Sequence, residues 1–352
     1  MLFRSDINRG QYVFEPVTDQ LIRYGLGAIK GTGKTAIDAI VAARHEGGPF
    51  TSLFDFYARI DRSKVNKRTV EALIKAGAFD GIQLNRAALV ASIDRAHDFA
   101  QSLSDNANQG GLFDQVDSHA SSTTEPELVR ATPWGIKERL SHEKTAIGFY
   151  LSGHLYDESA SEVQRFVKRR IDDLIDSREP QLLAGIVSDL RLVQGQRGRL
   201  AIFKLDDRSA TIEATADEAT YNTHRDTLRE DELVILMAKA QPDRFSGGGL
   251  RLSVQQVWSL AEARCRFGKY LSVQVNGQAP DIGRLLREFP AKVQSSEEGE
   301  LVRGLPVRIH LLRDGACAQI QLGEQAKFFP TEAALASWMA QAHDGQAQII
   351  YD

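Results

Sequence analysis

Apolar positions recur with a helical period through the first part of the chain and with a strand period through much of the second. Leu26, Ile29, Ile37, Ile40 and Val41 keep helical spacing on both sides of Gly31 and Gly33. Ala36 and Ala39 are small enough for two helices to approach closely, and Gly47-Gly48-Pro49 stops the second helix. Further helical faces follow at Leu53, Phe54, Phe56, Tyr57 and Ile60, at Thr69 to Ala76, and at Arg86 to Ala100. Leu73 to Asp80 reads as a second, degenerate hairpin packed on the first. Between Gln101 and Thr132 the pattern lapses into Ser, Asn, Asp, Gln, Thr and Gly, which predicts a mobile segment. Helix resumes from Leu140 to Tyr150. Ser161 to Ile175 predicts a linking helix with Arg165, Lys168, Arg169 and Arg170 on its exposed face.

From Gln181 to Leu260 the period becomes two. Leu182–Val187, Arg191–Val193, Leu200–Leu205, Ala210–Ala214, Leu233–Ala240 and Leu250–Val257 are short β-rich runs separated by turn residues. With one helical insertion, Ala216 to Leu228, they predict a small Greek-key barrel of the OB type. Strands at 271–275, 306–312, 318–322 and 348–351, with helices at 282–287 and 331–342, complete a last small unit with no identifiable chemistry. The expected fold class is thus multi-domain α+β: a helical hairpin domain, an OB-type barrel and a C-terminal α+β domain. The expected boundaries are 21–156 for the helical domain (loop 101–132), 157–180 for the linker, 181–262 for the barrel and 263–352 for the last domain.

Composition narrows the function. At 352 residues, 42% hydrophobic and 26% charged, the chain is ordinary globular protein with room for two or three domains. A net charge of −4 argues against a uniformly basic nucleic-acid binder, so any DNA contact comes from local patches. Arg62, Lys64, Lys67 and Arg68 form one such patch, with Lys64, Lys67 and Arg68 the DNA-binding candidates; alone it would read as a solvated helix start. The two cysteines sit in no CxxC, which fits a reducing cytoplasm and offers no zinc framework. No run approaches a membrane span and no histidine cluster, nucleophile elbow or acidic metal pair emerges. The expectation is no catalytic residue, no metal and no cofactor.

The segment from Ala28 to Thr35, Ala-Ile-Lys-Gly-Thr-Gly-Lys-Thr, carries the sharpest ambiguity. A nucleotide-binding loop would need a buried strand, an opening glycine and a nest of amides. Here Ala28 takes the opening place, Arg23, Gly25 and Gly27 interrupt the preceding strand, and the best apolar run, Leu233–Met237, ends in Ala238-Lys239 rather than an acid for magnesium. The alternative is two helices joined by Gly-x-Gly, whose exposed amides at a helix N-terminus favour a phosphate oxygen. Lys30, Gly31, Thr32, Gly33, Lys34 and Thr35 are the DNA-binding candidates on that reading, and an ordinary capped turn is the bland one. In the polar tract, within Gln109 to Phe113, the apolar pair Leu112-Phe113 reads equally as a docking peptide or as a loop pair tucked onto its own domain. In the barrel, Arg191, Arg197, Arg199, Phe203 and Lys204 could supply a basic groove and stacking platform for single-stranded DNA. A barrel that serves only protein interaction is an equal alternative.

The pattern Ile-x-Gly-x-Gly-x-x-Ala-x-x-x-Ile from Ile29 to Ile40 resembles the helix-hairpin-helix motif, which binds duplex DNA without reading sequence. Over nearly its whole length the chain resembles the C-terminal part of the bacterial replicative DNA polymerase III α subunit family, of the C-family polymerases. The resemblance rests on Asp6-Ile7-Asn8-Arg9 with Phe14, on Tyr24 to Gly31, on Lys64 to Arg68, on Ala76 to Asp80, on Gly148 to His154, on Leu205 to Ser209 and on Phe245 to Gly248. It implies that residues 1–20 close the fingers region, that the catalytic acids and their Mg2+ belong to a palm preceding this chain, and that the chain alone is not an active polymerase. It implies three partners: duplex DNA at the hairpin, the β sliding clamp at Gln109, Leu112 and Phe113, and the τ subunit of the clamp loader at the terminal domain. The barrel would lie near template single strand. Gly110 and Gly111 depart from the residues more usual between Gln and Leu. A P-loop ATPase and a stand-alone DNA-repair scaffold are the alternatives.

Overall fold

The computed structural model describes residues 2–19, 21–109, 124–195, 198–243, 249–276, 281–296, 299–313 and 316–351. The chain divides into two compact units, Met1–His154 and Leu155–Asp352.

In the first unit β1 (Leu2–Arg4), β2 (Glu15–Thr18) and β3 (Leu21–Arg23) form a small sheet with β3 central, parallel to β1 and antiparallel to β2. Helices α1 (Lys34–Gly47), α2 (Leu53–Arg59), α3 (Lys67–Lys75), α4 (Arg86–Ala91), α5 (Ile93–Gln109) and α6 (Ile136–Ile147) follow. Polar caps set several starts: the side chains of Ser52, Asn66 and Asn85 accept from the amides of Asp55, Thr69 and Ala88. The core collects Leu26, Ile29, Ile37 and Ile40 with Phe50, Phe56, Leu73 and Phe79. Its aromatic rings meet edge to face, Phe56 lying 5.0 Å from Phe50 and 5.1 Å from Phe79 between centroids.

Two expectations change here. Only one of the two helices around Gly31 and Gly33 is an α-helix; the first is a single 3₁₀ turn, Leu26–Ala28. Crowding requires the glycines beside and within it, because a Cβ on Gly27 would run into the Tyr12 ring and one on Gly25 would lie 2.7 Å from the Tyr12 carbonyl. The segment expected to be mobile from residue 101 is helical through Gln109. Residues 124–132 then pack back on their own unit: Val129 N donates to Ser92 Oγ at 2.8 Å and Asn85 Nδ2 to the Ala131 carbonyl at 2.9 Å.

In the second unit, α7 (Ala160–Val163) precedes β4 (Gln181–Gly195), β5 (Gly198–Asp206), β6 (Thr211–Asp217), α8 (Glu218–His224), β7 (Leu233–Pro242) and β8 (Leu250–Trp258). The strands close in the order β4-β5-β6-β8-β7, with β6 and β8 parallel. A five-stranded barrel of this order, with a helix after its third strand, is the OB fold. The two β-runs 182–187 and 191–193 are one strand, β4, bulged between Ser188 and Arg191 where Asp189 takes φ 53°. A capping box at Ser259 and Glu262 starts α9 (Leu260–Phe267). The remaining elements are β9 (Gly268–Asn276), α10 (Ile282–Glu288), β10 (Lys292–Ser296), β11 (Gly299–Arg303), β12 (Val307–Arg313), β13 (Ala316–Gln321), α11 (Glu332–Gln341) and β14 (Ala347–Tyr351). They build a sheet of order β13-β12-β9-β14, a separate β10–β11 hairpin, and a core around Trp338 and Phe328.

The linking helix expected over Ser161–Ile175 is absent. In its place stand α7 and a 3₁₀ turn, Ile171–Asp173. Ile171 buries its side chain in the barrel core and donates its amide to Asp207 Oδ2 at 2.8 Å, a tertiary contact that outcompetes helical continuation. Arg264 ties this approach segment to the terminal sheet. It is buried, donates to both oxygens of Glu162 at 2.8 and 2.7 Å, and reaches Glu332 at 2.6 Å and the Pro330 carbonyl at 3.0 Å. Tyr351 Oη donates to Glu162 Oε1 at 2.5 Å.

Candidate nucleic-acid interface

The hairpin around Gly31 and Gly33 is held from inside. Thr32 Oγ1 lies 2.7 Å from the carbonyls of both Leu26 and Ile29, so this hydroxyl shapes the turn. Lys30 N donates to the Ala146 carbonyl at 2.7 Å, fixing the turn to the end of α6, and Thr32 N donates to Ile29 at 3.2 Å. From α3, Thr69 Oγ1 donates to the Gly31 carbonyl at 3.2 Å. Gly31 adopts φ 87°, the left-handed region that glycine enters without penalty. Gly33, by contrast, is extended, φ −87° and ψ 156°, and serves as the N-cap of α1.

What this frame leaves outward is chemically uniform. Among the described residues, no protein acceptor takes up the amides of Gly31, Gly33, Lys34 and Thr35. No heavy atom lies within 4 Å of where a Cβ would stand on Gly31 or Gly33. Lys30 and Lys34 are exposed, and the first turn of α1 carries no acid. Open donors, a helix N-terminus and two ammonium groups around an unobstructed backbone make a receptor for a phosphate oxygen.

The basic patch expected beside it is partly neutralised. Lys64 pairs with Asp61 at 2.9 Å and Lys67 with Asp94 at 2.6 Å. Hydrogen bonds from Ser63 and then Lys64 hold the Asp61 carboxyl down at about 2, and Lys67 lowers that of Asp94. Arg68 has no acidic partner among the described residues, and its neighbour Thr69 touches the hairpin directly. Thr69 was missed in sequence because its partner lies 38 positions away.

The same segment does not make a nucleotide loop. Leu21–Arg23 does form a strand, contrary to the sequence expectation, but it is three residues long and half-buried. A 3₁₀ turn separates it from Gly31, and the amides of Lys30 and Thr32 already serve internal carbonyls.

Between α4 and α6 lies a buried ion pair that sequence reading also missed. Arg86, on α4, donates to Glu143 Oε1, on α6, at 2.7 Å and forks onto both oxygens of Asp80 at 2.7 and 2.5 Å. Burial alone would depress the Arg86 guanidinium; Asp80 and Glu143 outweigh it and raise it. Glu143 Oε2 accepts the amides of Leu151 and Ser152 at 2.8 and 2.9 Å. One fully buried carboxylate thereby positions the Phe149–His154 segment after the helix that fixes Lys30.

The clamp-peptide candidates fall mostly elsewhere. Gln109 closes α5, its side chain not among those described, and Leu112 and Phe113 lie outside the described residues.

On the barrel the expected single-strand surface needs correction. Phe203 is fully buried in the core, sharing its inward face with Ala201 and Leu205, and cannot stack on a base. Lys204 pairs with Asp189 at 2.7 Å, while Arg191 meets Glu213 at 3.3 Å and Arg251 holds the other oxygen of the same carboxylate. Arg199 is exposed without an ion-pair partner among the described residues, and Arg197 lies outside them.

Comparison with known proteins gives these parts a common origin. The family model for the helix-hairpin-helix motif matches residues 2–89, and that for the OB-fold nucleic acid binding domain matches residues 182–260. The DNA polymerase III subunit alpha of Neisseria meningitidis serogroup B is 44% identical over 290 residues, 81% of this chain and 25% of that protein. The Escherichia coli K12 protein of the same name is 31% identical over 356 residues, 99% of this chain and 30% of its own length. The chain therefore spans a quarter to a third of the relatives it matches. Among solved structures, a mitochondrial single-stranded DNA binding protein of S. cerevisiae aligns with 23% of this chain and 94% of its own at 17% identity and a TM-score of 0.21. Its hairpin, its barrel and its continuous similarity over most of its length identify the chain as a member of the DNA polymerase III subunit alpha family, fitting the C-terminal portion of those proteins.

Proposed function

We propose that this chain is the DNA-gripping and tethering portion of a replicative polymerase subunit, acting in chromosomal DNA replication. The hairpin holds the backbone of duplex DNA; the observation that carries this is the unobstructed set of amides at Gly31, Gly33, Lys34 and Thr35 flanked by Lys30 and Lys34. Thr69 steadies the turn, and the exposed Arg68, its neighbour in the chain, adds a third cation. Backbone donors and cations without base-reading side chains give sequence-independent, salt-dependent binding. Gln109, Leu112 and Phe113 are the peptide for the β sliding clamp, and the 263–352 region is the surface for the τ subunit. Template-directed synthesis belongs to a catalytic domain elsewhere in the parent protein.

Fluorescence anisotropy with a labelled duplex tests the hairpin. Lys30→Ala with Lys34→Ala should lower the slope of log affinity against log salt by ~1 to 2, about 0.9 per lost phosphate contact. An unchanged slope refutes the hairpin reading. Leu112→Ala with Phe113→Ala should abolish co-elution with the clamp, and unchanged co-elution removes that part. The ATPase alternative makes the opposite demand, micromolar ATP binding in calorimetry that disappears in Lys34→Ala.

A further inference from the structure

The run Lys168-Arg169-Arg170, set in sequence on a solvated helix face, stands instead on an extended segment beside the β5–β6 turn. With Arg208 from that turn it lines a cleft of about 550 Å³. All four cations are exposed. Among the described residues Lys168 Nζ meets only the Gln164 carbonyl, at 3.0 Å, and Arg169 reaches the neutral Gln181. Arg170 uses one nitrogen on Asp172 at 3.2 Å and Arg208 one on Asp157 at 2.5 Å, and among the described residues the rest of each guanidinium fork has no ion-pair partner. The amides of Lys168, Arg169 and Arg170 donate to no protein acceptor among the described residues. Asp207, the other acid at the cleft, is buried; it accepts from the amides of Ile171, Ser209 and Ala210 and from Ser209 Oγ. That bonding fixes the turn so firmly that Arg208 is held at φ 72°, a left-handed geometry that costs a non-glycine residue.

We infer that this cleft binds the phosphodiester backbone of single-stranded DNA. Its volume lies within the ~300–1,000 Å³ of ordinary ligand sites, room for a nucleotide or two of a flexible strand. Duplex DNA would have to enter a recess rather than lie across a surface. The cleft is at the end of β5 remote from Gly198, where the strand starts; eight steps of ~3.3 Å separate the ends of this nine-residue strand by ~26 Å. The cleft uses none of the cations on the barrel face where such folds commonly bind strands, a face that here offers a buried Phe203 and ion-paired Arg191 and Lys204. The inference rests on the reading of the chain as a DNA-binding unit but uses none of the hairpin residues.

Arg208→Gly is the sharpest probe, since glycine suits φ 72° and removes the charge together with the strain. With a labelled oligothymidylate, the full chain should bind in anisotropy. Arg208→Gly, and separately Arg169→Ala with Arg170→Ala, should weaken that binding roughly three- to tenfold, the size of one or two charge-assisted contacts. The salt slope should fall by ~0.7 per lost single-strand contact. Arg208→Gly should melt no lower than the parent chain, so a folding defect cannot mimic the loss. Lys30→Ala with Lys34→Ala should impair duplex binding and spare the oligothymidylate. Absence of oligothymidylate binding by the parent chain, or unchanged affinity and slope in both cleft variants, overturns the inference. If only the hairpin variant loses the single strand, the inference fails while the hairpin reading stands.

Discussion

Removing Arg86 should cost more than removing its partner, because the two ends of the ion pair are unequally supported. Arg86→Met leaves the Glu143 carboxylate fully buried with only the Leu151 and Ser152 amides to hold it. Stranding a buried charge in this way costs about 3–5 kcal/mol, a large part of the ~5–15 kcal/mol that holds a typical domain together. Glu143→Gln, by contrast, leaves Arg86 forked onto Asp80 and keeps one carbonyl oxygen for the amides. Its cost should be about 1–2 kcal/mol, near that of one weakened charged hydrogen bond. The double variant Arg86→Met with Glu143→Leu replaces both charges by apolar groups and should be less destabilised than Arg86→Met alone. Because the chain has two units, a single unfolding curve would mix them. Hydrogen–deuterium exchange in a urea series avoids this, reading peptides from 136–154 against barrel peptides as internal reference. The predicted order in the 136–154 peptides is Arg86→Met below the double variant, with Glu143→Gln nearest the parent, and the barrel peptides unmoved. Equal costs for the two single variants, or less than ~1 kcal/mol for Arg86→Met, would refute the reasoning.

Further predictions separate other roles. Gly31→Ala should lose ~1–2 kcal/mol because a Cβ is strained at φ 87°, whereas Gly33→Ala, extended and uncrowded, should lose under ~1 kcal/mol yet weaken duplex binding; urea titration and anisotropy read the two effects separately. Phe203→Ala should cost ~3–5 kcal/mol in barrel stability by opening the core, and a surface-like cost under ~1 kcal/mol would restore it as a stacking residue. Glu162 gives a pH signature: burial would raise its carboxyl, but the bonds from Arg264 and Tyr351 and the charge of Arg165 prevail and lower it. A depressed folded value means that its contribution is complete above the unfolded value of ~4.3 and is lost as pH falls through the folded one. The stability gap between parent and Glu162→Gln, measured by denaturant midpoints, should therefore be constant near neutrality and shrink below about pH 4; a gap that widens in acid would contradict the pairing.

How much was legible in sequence depended on the range of the interaction. Gly31 and Gly33 announced the hairpin because turn chemistry is local. The barrel strands showed themselves because one face of each is buried, and Ala201, Phe203 and Leu205 carried the parity that should have sent Phe203 inward from the start. The Arg86–Glu143 pair spans 57 positions and Thr69–Gly31 spans 38, so neither leaves a pattern in any short window. The linking helix failed for a related reason. Val163 and Val167 keep helical spacing, but Ile171 is claimed by the barrel core and Asp207, and the cations after Val167 turned to a cleft that no local period foretells.

The Glu162–Arg264–Tyr351 cluster joins the approach segment of the second unit to its final strand. Mechanically, this closes a loop. A pull exerted between the α7 segment and β14 would first stretch Arg264 and Tyr351 against Glu162, not peel strands from the barrel in sequence. The barrel thus sits off the line of tension, and force between these two segments passes through this knot of three side chains while the OB fold stays at rest.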